Sequence, residues 1–88
     1  MRTIHKQTLK IQHEQEIVVP AYSKLLCVKE QFKNEDPCIW YLCDPKEAPV
    51  KRAIYCHGTG HDIDKEYDQY LGTVIKLDGK SVFHFFVE

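Results

Sequence analysis

Long apolar runs are missing from this chain. No window approaches the stretch of about 18 apolar residues that a membrane-spanning helix needs. The opening residues Met1-Arg2-Thr3-Ile4-His5-Lys6 carry no apolar signal-peptide core, so an intracellular protein is expected. An excess of charge of either sign is also missing, with a net charge of −1. Binding to nucleic-acid phosphates needs a clustered basic surface, so neither nucleic acid nor membrane is expected as a partner. Lys46, Lys51 and Arg52 are the residues that could form a local basic patch.

Several chemical signatures fail on spacing. No Cys-x-x-Cys pair occurs among Cys27, Cys38, Cys43 and Cys56. Cys38 and Cys43 are five apart and would face opposite sides of a strand, so structural zinc is not expected. Free thiols are expected instead, acting as small core hydrophobes. No Gly-Lys-Ser/Thr follows the glycine turn near residue 60, which excludes a Walker-type loop. Asp62, Asp64, Glu66 and Asp68 alternate like the start of a calcium loop. The sixth position there is Tyr67 rather than glycine, and the twelfth is Thr73 rather than glutamate. No metal and no cofactor is expected. Repeats and low-complexity tracts are absent as well.

What remains is a folded domain in outline. The chain has 88 residues, 43% hydrophobic and 28% charged, which suits one globular domain. A domain of this size buries only about 60 to 65% of its unfolded surface, so self-association is a usual route to stability. Strand-like runs fall at residues 3–11, 17–19, 25–32, 38–43, 50–57, 70–77 and 81–87, broken by Pro20, Asn34 to Pro37, Asp44-Pro45 and Gly58 to Gly60. Asp78-Gly79 between two such runs reads as a type I′ hairpin turn. The expected fold class is all-β, with about seven short antiparallel strands in a small sandwich or barrel. At most one short helical turn is expected, near residues 64–70. Ile39 to Leu42 and Val82 to Val87 are apolar on both parities. A half-wet strand should alternate, so a second subunit is expected to cover one face, making a homo-oligomer.

One segment combines permissive backbone with titratable side chains: Tyr55-Cys56-His57-Gly58-Thr59-Gly60-His61-Asp62. Gly58 and Gly60 allow positive φ and close approach. Successive amides in such a turn can form an anion-binding concavity. Thr59 adds a hydroxyl, and His57 and His61 add rings that can donate to phosphate. Plain turn geometry accounts for the same glycines. Tyr55, Trp40 and Tyr70 are the candidates to stack a base, and Lys51 and Arg52 to balance its charge. Tyr67 and Tyr70, in polar surroundings, are expected at the surface. A Cys56 thiolate paired with His57 or His61 would be an enzymatic alternative, but no third orienting group stands at a telling spacing.

Pro37-Cys38-Ile39-Trp40-Tyr41-Leu42-Cys43-Asp44-Pro45, Gly58-Thr59-Gly60-His61, Tyr70-Leu71-Gly72-Thr73 and Phe83-His84-Phe85-Phe86 follow one another in that order, after Gln15-Glu16-Ile17 and Pro20. Together these blocks resemble a family of small, functionally uncharacterised bacteriophage proteins, over nearly the whole chain. Cys43, Cys56 and His57 depart from that pattern. The resemblance brings no catalytic residues. It implies a phage setting, the cytoplasm of an infected bacterium, and a role against host proteins or host defence. The expected function is a non-enzymatic binding protein that sequesters a small anionic, nucleotide-like signal. Inhibition of a host protein and a small thiol- or metal-dependent enzyme are the alternatives.

Overall fold

Runs rich in β-branched and aromatic residues become strands wherever turn residues bracket them. The computed structural model describes residues 1–76 and 79–88. Across them run seven strands: β1 (Thr3–Thr8), β2 (Glu14–Pro20), β3 (Lys24–Glu30), β4 (Pro37–Cys43), β5 (Pro49–Gly58), β6 (Gln69–Lys76) and β7 (Ser81–Val87). They form two antiparallel sheets, ordered β1-β4-β3 and β2-β5-β7-β6. The expected all-β sandwich is therefore what the chain builds. Asp78 of the expected Asp78-Gly79 turn lies outside the described residues; β6 and β7 pair from Gln69↔Val87 to Lys76↔Ser81.

The core lies between the sheets. Ile39, Tyr41 and Cys43 of β4 face Ile54, Cys56, Phe85 and Val87 of β5 and β7. Phe85 is fully buried. These residues share one parity of each strand, as the two-residue period requires.

The sheet edges meet at two seams. On one, Gln69 Nε2 donates to the Leu25 carbonyl at 2.9 Å, and Lys76 pairs with Glu30. Gly72 lies at the same seam, where a Cβ would stand 2.3 Å from the Val28 carbonyl oxygen. Its φ of +151° also favours glycine. On the other seam, Gln7 Nε2 donates to the Val18 carbonyl (2.6 Å) and the Tyr41 hydroxyl (2.9 Å). Side-chain amides thus cap edge carbonyls that would otherwise invite further strands. The body is flat, 41 × 31 × 15 Å.

Residues 64–68 run as an irregular loop, and no α-helix occurs among the described residues. Lys65 and Tyr67 hold that loop by side-chain contacts on the outer face of the β2-β5-β7-β6 sheet, and these replace helical hydrogen bonding. No helix of the described residues is long and apolar enough to cross a membrane. The four cysteines are free, with Cys38, Cys43 and Cys56 buried and Cys27 half-buried.

Candidate functional site

Strand β5 positions the candidate turn. Its Gly58 pairs with Phe83 of β7, and the Thr59 N–H continues the ladder to the Val82 carbonyl at 3.1 Å. The chain then reverses, with the His61 N–H donating to the Gly58 carbonyl at 3.2 Å. Gly60 carries the left-handed conformation this reversal needs, φ +87°. Two of the turn's amides are therefore committed to backbone partners. An anion-binding concavity built from successive amides, as the sequence alone suggested, is not what this turn forms.

Side chains form the site instead. A cleft of about 410 Å³ opens between the turn and the start of β7, lined by Gly58, Thr59, His61, Lys80, Ser81 and Phe83 among others. Lys80 brings a positive charge, and Thr59 and Ser81 bring hydroxyls. Among the described residues lining it, none carries a carboxylate. The Thr59 hydroxyl is tied to His84 Nε2 at 2.7 Å, and His84 Nδ1 to the Thr73 hydroxyl at 3.0 Å. That chain continues to the Tyr70 hydroxyl. A second cleft of about 240 Å³ lies on the other side of His61, reaching Ile11, Gln12, His13 and Cys56. The Cys56 N–H donates to the His13 carbonyl at 2.9 Å, which pins the β1–β2 loop there.

Next to the clefts, the loop after His61 folds back over the sheet's outer face. The Tyr67 ring stacks on Phe86, centroids 5.0 Å apart and 14° from parallel. Its hydroxyl shares a 2.6 Å hydrogen bond with His57 Nε2. Lys65 Nζ donates to the Tyr55 hydroxyl (2.8 Å) and to Glu88 Oε2 (3.0 Å), and Tyr55 donates to the same carboxylate oxygen at 3.0 Å.

These contacts set the charge states. Burial, then the His13 ring 5.1 Å away, lower the His57 pKa, and His61 adds to this while Asp64 opposes it. Burial raises the Tyr67 hydroxyl. The Lys65 hydrogen bond lowers the Tyr55 pKa, but burial, Glu88 and Glu14 outweigh it and leave it raised. The hydrogen bonds to Tyr55 and then Glu88 raise Lys65, and the one from Lys65, then Tyr55, lowers Glu88. Burial pushes the Cys56 thiol up to about 11, so it is protonated at neutral pH and a poor nucleophile. Cys56 joins the core whereas the His57 ring lies against Tyr67 on the outer face, so these neighbours do not form a thiolate–imidazole pair.

The structure gathers only part of the set expected from sequence. Gly58, Thr59, Gly60 and His61 share the turn. His57, Tyr55 and Tyr70 lie nearby on the outer face, but His57 and Tyr55 are engaged with Tyr67, Lys65 and Glu88. Tyr70 is exposed, as expected (56%), whereas Tyr67 is half-buried on Phe86. Trp40 belongs to the other sheet, paired with Lys6 and Cys27. Lys51 and Arg52 pair with Val18 and Ile17 toward the far end of β5. At roughly 3.3 Å per strand residue they stand about 20 Å from the turn. Trp40, Lys51 and Arg52 are therefore set apart from the cleft. Lys80, Ser81 and Phe83 enter it because β7 pairs with β5, a long-range pairing that no local spacing signals. Among the described residues no group of three or more His, Cys, Asp or Glu side chains is arranged to hold a metal ion.

A protein-family model described as a domain of unknown function, DUF7352, matches residues 1–88. Searches of the curated proteins and of the solved structures found no match.

Proposed function

The chain belongs to the DUF7352 family of domains of unknown function, which brings no activity with it, and we propose that it is a non-enzymatic binding protein for a small anionic, nucleotide-like ligand. The cleft beside Gly58 and His61 is the observation that carries this reading. Its volume of about 410 Å³ falls in the usual range for small-molecule sites. Lys80 supplies a point charge for phosphate, with the Thr59 and Ser81 hydroxyls beside it. Phe83 offers a ring face to a base. The protonated Cys56 thiol supports binding rather than covalent chemistry. The resemblance to small phage proteins supports a setting: removal of a host signalling nucleotide in the cytoplasm of an infected cell.

Purified protein mixed with a panel of mono-, di- and cyclic nucleotides should deplete one of them from solution. Heat denaturation should return it with unchanged mass. Lys80→Ala should weaken retention at least tenfold, about 1.4 kcal/mol. A panel in which nothing binds tighter than roughly micromolar, about −8 kcal/mol, would defeat the proposal.

A second reading is favoured by one observation on the other sheet. Trp40 and Leu42 lie on the outer parity of β4, next to Ile4, which is 56% exposed, and near exposed Leu26. Such a patch suits a protein partner, a host protein or a second copy of the chain. Recovery of one stoichiometric host protein by wild type, but not by Trp40→Ala, would support it; recovery by both would count against this face.

A further inference from the structure

We propose that the two clefts beside His61 are halves of one groove, and that His61 is the partition that decides how large a ligand the groove admits. The inference rests on the binding reading above and assigns a ligand class to that site. Both clefts are lined by Gly58, His61 and Phe83. The groups shared by both are therefore the wall between them and the floor beneath it.

Gly58 explains why the wall stands where it does. It lies in the β5–β7 ladder opposite Phe83 and is not among the glycines with positive φ. Backbone freedom is not its role. A Cβ on Gly58 would stand 2.9 Å from His61 Cε1 and 3.1 Å from Nδ1. The missing Cβ is the seat of the imidazole. The 3.2 Å hydrogen bond from the His61 N–H to the Gly58 carbonyl folds the chain so that the ring lands there. His61 is itself exposed, and exposed side chains change rotamer in picoseconds to nanoseconds.

With the ring seated, the cleft at Lys80 and Ser81 is closed off from the second cleft and takes the phosphate end of a ligand. With the ring swung out, the groove runs on to Gln12, His13 and Cys56. A ligand that fills it carries phosphate at one end and a flat polar ring at the other. Phe83 and Ile11 provide apolar contact for that ring, and Gln12 and His13 provide polar contact. A nucleoside monophosphate has this form, whereas inorganic phosphate fills one half only.

Gly58→Ala leaves the backbone unstrained and dislodges the ring; His61→Ala removes it. Alkylation of Cys56 by iodoacetamide, read by peptide mass spectrometry, reports opening without any ligand, because Cys56 lines the second cleft and is only 6% exposed. Cys43, in the core, is the control for unfolding. Cys56 should react several-fold faster in both variants than in wild type, with Cys43 unchanged. Calorimetric titration with adenosine monophosphate and with inorganic phosphate completes the test. Gly58→Ala should raise the ratio of nucleotide affinity to phosphate affinity several-fold. Equal Cys56 rates in all three proteins would overturn the partition. Parallel changes for nucleotide and phosphate would overturn the single groove and leave the phosphate cleft standing. Faster Cys56 alkylation with neither probe bound by any of the three would uphold the partition and refute the binding reading.

Discussion

Single residues decide more here than their exposure suggests. Gly72 is the tightest case, since its missing Cβ lets β6 approach the Val28 carbonyl of β3. Gly72→Ala combines a positive φ with a backbone clash and should cost about 3 kcal/mol or more, measured by denaturant unfolding. Gly60→Ala meets open space and should cost about 1 kcal/mol from its φ alone. His57 carries a pH dependence. Its folded pKa is lowered, so the unfolded chain binds the proton more readily. Stability from this group is complete above the unfolded value of about 6.5 and is lost as pH falls through it toward the lowered folded value. The melting temperature should fall on acidification across that window, and His57→Gln should reduce the fall. Equal falls in both proteins would remove His57 as the cause. The glycines of the turn were visible in the sequence, but not their division of labour. Gly60 serves φ and Gly58 serves space, a division set by their backbone angles and by the position of the His61 ring.

Among the elements, the segment from Thr59 to Asp68 behaves as a strap across β5 and β7. Its polar sequence gives no sign of docking, and a short helical turn was the expectation there. Tyr67 is what ties it down, by stacking on Phe86 and bonding to His57. This also accounts for one puzzle of the sequence. The outer parity of β7 is apolar because the chain's own loop covers Phe86, so that strand needs no second subunit. Tyr67→Ala should release the strap and raise amide exchange across residues 59–68, while β4 stays protected. Tyr67→Phe keeps the stack and should show a smaller rise. If Tyr67→Ala leaves exchange unchanged, the strap is held by Lys65 and Glu88 instead. That ion pair is solvent-exposed and of a kind worth about 1 kcal/mol or less. The seven strands were legible because β-branched runs and proline or glycine breaks are local signals. Their pairing was not, since β7 inserts between β5 and β6 and brings Lys80 and Phe83 to the turn from about twenty residues away.

Over the whole molecule, the two sheets close edge to edge at the Gln69–Leu25 and Gln7–Val18 seams. The outer face around Trp40, Leu42 and Ile4 is then the surface where self-association would occur. If a homo-oligomer forms there, Leu42→Lys should shift sedimentation to the monomer without altering ligand retention. A monomeric wild type would end that proposal and leave the cleft untouched. On the proposed reading, ligand binding and self-association would divide between opposite sheets. The most direct measurement of this division is a backbone NMR titration of the wild type with the nucleotide that the depletion panel selects. Shifts should concentrate at Thr59, His61, Lys80, Ser81 and Phe83 and be absent at Trp40 and Leu42. Shifts centred on Trp40, or none at the turn under saturating ligand, would contradict the account.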